Sequence, residues 1–154
     1  MFQESGRSMI EMLGVLAIMG VITVGAVGMI STAMRTQKLT TVNDQVVQMV
    51  TMVRNLHAEY DDFSNMNGAT IFGAIAMSNQ NPYGGNYELG VDPSNPRQFV
   101  VKIDGLGQSE CEALISKAWS DSVGYQLSGG KQGGANGSCK GANGTNYVQI
   151  IYGE

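Results

Sequence analysis

The feature that most constrains the fold is an uncharged apolar run near the N-terminus. Between Glu11 and Arg35 the chain has 23 consecutive residues without a charge, and Val, Ile, Leu, Met, Ala and Gly dominate them. At about 1.5 Å of rise per residue, a helix of this length spans a hydrocarbon core of about 30 Å. The apolar region of a cleavable secretory signal is shorter, about 7 to 15 residues. The run therefore predicts a membrane-spanning helix.

The residues in front of the run carry a second signal. Gly6-Arg7-Ser8-Met9-Ile10-Glu11 places a lone acid five positions after a glycine, at the head of the apolar segment. This arrangement resembles the prepilins of type IV pili and the related pseudopilins of type II secretion. The resemblance implies that a membrane peptidase removes a leader of residues 1–6 by cutting between Gly6 and Arg7. It also implies a filament-core helix over residues 7–34, and it leaves open whether Arg7 is N-methylated.

Glu11 is the candidate assembly residue. A carboxylate within a membrane helix costs about 2.5 to 3.5 kcal/mol at the bilayer centre and less near an edge, so it calls for a partner. Cleavage after Gly6 would create an α-amine on Arg7, and that amine can reach the Glu11 of a neighbouring subunit. In the alternative interpretation, Glu11 lies at the headgroup level and only ends the span.

The helix is expected to continue beyond the run. Apolar residues recur at spacings of three and four, which places them on one helix face: Leu39, Val42, Val46, Met49, Val53, Leu56, Tyr60 and Phe63. This pattern predicts an amphipathic half that lies against a sheet. Within the run, small residues form a stripe that either permits close helix packing or reflects ordinary anchor composition: Gly14, Ala17, Gly20, Thr23, Gly25 and Gly28.

The remainder of the chain predicts short strands and one well-marked helix. Strands are expected over 87–91, 99–103, 122–127 and 147–152, a hairpin connection over 92–97, and a short helix or turn over 70–77. Ser109 and Glu112 have the spacing of a capping box, which predicts a helix from Ser109 to about residue 119. Residues 128–146 are rich in Gly, Asn and Ser and are expected to form a surface loop.

Cys111 and Cys139 are the only cysteines of the chain. Because no second cysteine pair and no histidine accompanies them, the two favour a disulfide over a metal site. Closing a loop of this size would stabilise the fold by about 3 to 4 kcal/mol.

The C-terminal half sharpens the resemblance. An Asn81-Pro82-Tyr83-Gly84-Gly85 turn precedes two predicted strands, and a Cys-bearing helix with Trp119 precedes the loop and last strand. This order is similar to the type IVb pilins, which include bundle-forming, toxin-coregulated and conjugative thin pili. It implies an α+β fold in which a long N-terminal helix, with a membrane-spanning half and an amphipathic half, packs on a small and mainly antiparallel sheet. Residues 35–154 would form the periplasmic or extracellular head.

Composition argues against several other functions. A net charge of −4 without basic runs disfavours a nucleic-acid partner. His57 is the only histidine and, next to Leu56 on the amphipathic helix, is expected to lie at the boundary of the apolar face. Asp61-Asp62 is expected to be a solvated helix end. We predict no catalytic residue, no metal ligand and no cofactor.

The expected function is therefore structural. The resemblance implies a subunit stored in the bacterial inner membrane and assembled into an extracellular pilus for adhesion, aggregation or conjugative mating. Its partners would be copies of itself, the prepilin peptidase and the pilus assembly machinery. The alternatives are a minor pilin or pseudopilin of a secretion machine, or a membrane-anchored exported domain with a binding or enzymatic role.

Overall fold

A computed structural model describes residues 4–128, 138–139 and 144–153. It has the predicted α+β architecture: a long N-terminal helix, two short helices and a four-stranded antiparallel sheet. The chain divides into two compact units, Met1–Gln37 (the N-terminal unit) and Lys38–Glu154 (the C-terminal unit). In chain order the elements are α1 (Glu4–Leu56), α2 (Gly68–Ala74), β1 (Tyr87–Asp92), β2 (Asn95–Leu106), α3 (Gln108–Ile115), β3 (Ser122–Leu127) and β4 (Asn146–Gly153).

The described residues of the N-terminal unit form the first part of α1, and they enclose no apolar interior. Its large apolar side chains, from Met9 to Met34, are 52% to 77% exposed. The hydroxyl groups of Thr23 and Thr32 donate hydrogen bonds to the carbonyl oxygens of Met19 and Gly28, 2.7 and 3.2 Å away, so helix backbone satisfies these polar groups. By length and composition, this helix can cross a membrane.

The second part of α1 supplies one wall of the core of the C-terminal unit. Val42, Val46, Met49 and Val53 are completely buried, as their periodicity predicts. The predicted continuation of this face is wrong, because α1 ends at Leu56 and both Leu56 and Tyr60 are exposed. Beyond the helix end the chain contacts β2, where the backbone N–H of Phe63 donates to the Pro96 carbonyl oxygen at 2.8 Å.

The sheet has the strand order β1-β2-β4-β3, with every pair antiparallel. One face carries the buried side chains that meet the apolar side of α1: Tyr87, Phe99, Val101, Ile103, Val148, Ile150 and Tyr152. The four predicted strands are confirmed, but the predicted 92–97 connection is too long. Only residues 93 and 94 separate β1 from β2, because the Asp92 carboxylate accepts a hydrogen bond from the Ser94 N–H at 2.8 Å and tightens the turn.

The short helices differ from their predicted boundaries. α2 begins at Gly68, capped by Asn67, whose side-chain oxygen accepts from the Ala69 N–H at 2.9 Å. The predicted capping box of Ser109 and Glu112 is wrong, since Gly107 is the N-cap of α3 and makes no side-chain cap. The Glu112 carboxylate instead accepts a hydrogen bond from the Gln108 amide at 3.0 Å.

α3 ends at Ile115, earlier than its apolar pattern predicted. Trp119 therefore lies outside the helix, although its indole N–H still donates to the Leu114 carbonyl oxygen at 3.0 Å. This bond folds the segment between α3 and β3 back onto the end of the helix.

Candidate functional site

The predicted processing and assembly residues all lie in the first turns of α1. Gly6, Arg7 and Glu11 are helical, and Glu11 follows Arg7 by four residues, about one turn. The Glu11 side chain is exposed and stands between two exposed apolar neighbours, Ile10 and Met12. The structure thus puts one acid on an apolar surface. Residues 1–3 of the predicted leader lie outside the described residues.

The predicted small-residue stripe lies on an open helix surface. A Cβ atom placed on Gly14, Gly20, Gly25 or Gly28 would meet nothing within 4 Å apart from the helix itself. No described segment therefore occupies these positions, and another helix could approach the backbone closely there. The same openness fits ordinary anchor composition, so both interpretations of the stripe stand.

The predicted disulfide is present. Cys111 in α3 and Cys139 are bonded, with their Cα atoms 5.7 Å apart, and both residues are buried against the core. The bond ties the segment between β3 and β4 to the body of the C-terminal unit. Most of the predicted 128–146 loop, residues 129–137 and 140–143, lies outside the described residues.

The turn that the type IVb resemblance singled out is held by Asn81. This buried side chain donates to the carbonyl oxygens of Asn86 and Asp104 at 3.1 and 2.8 Å, and its oxygen accepts from the N–H groups of Tyr83 and Gly85. Any side chain at Gly85 would collide with the Asp104 carbonyl oxygen. The sequence predicted the turn but not this network, which anchors the turn to the end of β2.

His57 occupies the boundary position that the sequence predicted. Its Nδ1 lies 3.1 Å from the Val53 carbonyl oxygen, and its ring packs between those of Tyr60 and Phe63, with centroids 5.8 and 5.6 Å away. Within the described residues, no group of three or more His, Cys, Asp and Glu side chains could hold a metal ion. The histidine therefore closes the end of α1 by packing.

Two buried tyrosines have perturbed ionisation. Loss of solvent raises the pKa of Tyr87 well above its usual range, with the nearby Tyr83 adding to the effect, and raises the pKa of Tyr152 to about 12. The Tyr87 hydroxyl donates to the Gln45 side-chain oxygen at 2.7 Å, which links α1 to β1. Both phenols stay neutral at physiological pH and contribute to packing.

The cavities on the described part of the C-terminal unit include three that have charged or aromatic side chains in their walls. One, of about 510 Å³, has Arg54, Asp61, Asp62 and Arg97 in its wall, and a second of the same volume lies between α2 and β1. The third, about 540 Å³, brings together Lys38, Tyr83 and Glu110. Sequence analysis missed this last combination, because its members come from α1, the Asn81 turn and α3 and have no spacing signal.

Comparison with models of known protein families found no match, and comparison with curated proteins found none either. The described architecture, a long N-terminal helix and a small antiparallel sheet with one disulfide, is compatible with a pilin fold.

Proposed function

We propose that this chain is the structural subunit of a type IV pilus of the IVb kind. It is stored in the inner membrane, cleaved after Gly6 by a prepilin peptidase, and polymerised by the assembly machinery into an extracellular filament. The supporting observation is the combination of an exposed apolar helix headed by Glu11 with a C-terminal unit that has its own core. We propose no catalytic role and no cofactor.

The exposed surface of the N-terminal unit motivates this proposal. Each large apolar side chain left in water forgoes about 1.5 to 3 kcal/mol of burial free energy, so a helix that displays them continuously needs an apolar surrounding. Lipid supplies that surrounding during storage, and neighbouring helices supply it in a filament. A subunit that exchanges one for the other keeps these side chains out of water throughout assembly.

Glu11 would favour the filament over the membrane, because its charge is costly in lipid and would be paired in the filament. Its charge is costly in hydrocarbon, about 2.5 to 3.5 kcal/mol at the bilayer centre. The α-amine that cleavage creates on Arg7 of a neighbouring subunit is a cation at the depth of Glu11. Breaking a buried pair of this kind from one side costs about 3 to 5 kcal/mol, which is enough to fix the axial register of an incoming subunit.

Replacing Glu11 tests the proposal. We expect Glu11→Ala to leave cleavage and membrane insertion intact but to abolish or sharply reduce filaments seen by electron microscopy at equal protein level. Glu59→Ala is the matched control, because it removes one exposed acid outside the apolar segment. Normal filaments in the Glu11→Ala strain would contradict the assembly mechanism. If the chain is never cleaved and stays monomeric in both the Glu11→Ala strain and the Glu59→Ala control strain, it is an anchored exported domain instead.

A further inference from the structure

The cavity of about 540 Å³ carries an inference of its own. Its wall contains Lys38, Tyr83, Glu110, Ser109 and four glycines. Gly84 and Gly105 have φ values of 92° and 71°, a backbone conformation that favours glycine. A Cβ atom on Gly84 would meet nothing within 4 Å, whereas one on Gly105 would collide with the Gly85 backbone. Its volume lies in the range of small-ligand sites, about 300 to 1,000 Å³.

Lys38 and Glu110 place opposite charges in the wall of this cavity. The Lys38 ammonium lies 6.0 Å from the centre of the Tyr83 ring, at the outer limit of a cation–π contact. In the described part of the chain, neither Lys38 nor Glu110 takes part in an ion pair. A ligand that carries one anionic and one cationic group would find an opposite charge for each group in this wall.

The two charges and the single aromatic ring select the ligand chemistry. Phosphate oxygens accept charge-assisted hydrogen bonds from an ammonium group such as that of Lys38. A primary ammonium group donates in the same way to a carboxylate such as that of Glu110. A quaternary ammonium has no N–H to donate and is usually held by several aromatic rings, whereas Tyr83 is the one aromatic residue among the described residues of this wall. Phosphoethanolamine fits this wall better than phosphocholine or a purely anionic headgroup.

The position of Lys38 along α1 indicates a membrane source for that group. Lys38 follows Arg35, the end of the uncharged run, by three residues or about 4.5 Å of helix. Headgroups extend a bilayer by about 5 to 7 Å beyond the hydrocarbon core on each side. A span that ends at Arg35 thus leaves Lys38 at headgroup depth.

We propose that this cavity binds the phosphoethanolamine headgroup of a membrane lipid, with Lys38 on the phosphate and Glu110 on the ammonium group. The inference rests on membrane storage, which is part of the proposed function. Such binding would hold the C-terminal unit against the bilayer surface until the subunit is withdrawn, so lipid release would accompany extraction.

Lipid retention by the full chain tests the site. The chain is purified in detergent with equal amounts of phosphatidylethanolamine and phosphatidylglycerol, and bound lipid is counted by native mass spectrometry. We expect a preference of about fivefold for phosphatidylethanolamine, as one exposed charged contact would give. Lys38→Gln should lower retention of both lipids about fivefold, and Glu110→Gln should bring the ratio of the two lipids close to one.

The chain offers matched controls for both substitutions. Lys117 lies 5.7 Å from the centre of the Trp119 ring, outside the cavity, so Lys117→Gln removes a similar lysine on a similar ring. Glu112→Gln removes an exposed acid two residues after Glu110, and Glu112 does not line the cavity. Both controls should retain lipid as the unchanged chain does.

Several outcomes would overturn the inference. These are equal retention of the two lipids by the unchanged chain, no effect of Lys38→Gln, or equal losses in the controls. Displacement of the lipid by stoichiometric soluble phosphoethanolamine would overturn the membrane source. Flotation with vesicles separates this inference from the proposed function: a chain that inserts but shows no lipid preference refutes the cavity alone, whereas failure to insert contradicts membrane storage.

Discussion

Removing the Cys111–Cys139 disulfide should cost the C-terminal unit a large part of its stability. The two cysteines are 28 positions apart, and for a loop of this length the entropy of closure corresponds to about 3.5 kcal/mol. Domains are stable by only about 5 to 15 kcal/mol. The double substitution Cys111→Ala with Cys139→Ala should therefore leave the unit folded but much closer to its unfolding transition.

Alanine is the informative replacement because both cysteines are buried against the core. Serine would add the penalty of placing a hydroxyl group there, about 1 to 3 kcal/mol if it found no partner, and would confuse two effects. The double substitution also avoids a free thiol. The reduced unchanged chain is the matched control, since it loses the same covalent link and keeps the native side chains.

Urea unfolding in detergent, followed by tryptophan fluorescence, measures the effect. Trp119 is the only tryptophan, and its indole N–H is bonded to the Leu114 carbonyl oxygen in the helix that carries Cys111. We expect the unfolding free energy to fall by about 3 to 4 kcal/mol in both the double variant and the reduced chain. A loss below about 1 kcal/mol would refute the loop-closure reasoning. Alkylation of both thiols in the native, unreduced chain would show that the bond is absent.

Three further predictions concern the core, alkaline pH and processing. Met49→Ala should lower the unfolding free energy by about 2 to 5 kcal/mol, because Met49 is fully buried, whereas Val47→Ala at an exposed position of α1 should change it by less than about 0.5 kcal/mol in the same urea assay. Burial raises the pKa of Tyr152 from 10.0 to about 12, so its stabilising contribution is complete below pH 10 and is lost as the pH rises towards 12. Unfolding midpoints measured against pH should show this loss. Tyr152→Phe should reduce the loss. Gly6→Val should block cleavage and leave uncleaved chain in the membrane, and mass spectrometry that finds a mature N-terminus other than Arg7 would contradict the assigned site.

The parts of the fold that local patterns encode were predictable. A helix repeats every 3.6 residues, and apolar residues at that spacing lie on its buried face. Four residues of α1 follow this spacing and are fully buried: Val42, Val46, Met49 and Val53. The end of α1 was not predictable, because the period runs on to Phe63 while the chain turns away after Leu56. The contact that accompanies this turn, from the backbone N–H of residue 63 to Pro96, joins positions 33 apart. The spacing of neighbouring residues cannot predict a contact between positions so far apart in the sequence.

The wrong capping box and the cavity that was not predicted have different physical explanations. Ser109 and Glu112 have the spacing of a capping box, but the prediction is wrong because Gly107 is the N-cap residue. The Glu112 carboxylate accepts a hydrogen bond from the Gln108 side-chain amide instead. The cavity of about 540 Å³ could not be foreseen, since Lys38 and Glu110 belong to different elements and come to line one wall only in the folded unit. Spacing rules describe single elements, and sites assembled from several elements fall outside them.

The two units differ in the burial of their apolar side chains, so we expect assembly to affect them differently. Val46 and Met49 are buried within the C-terminal unit, whereas the apolar side chains from Met9 to Met34 are exposed on the same helix. In the proposed assembly, moving a subunit from lipid into a filament would change the partners of the N-terminal unit and leave the core of the C-terminal unit intact. Substitutions at Glu11 and at Met49 should accordingly separate into two classes. The first should change filament yield at constant unfolding free energy, and the second should change unfolding free energy before it changes the filament.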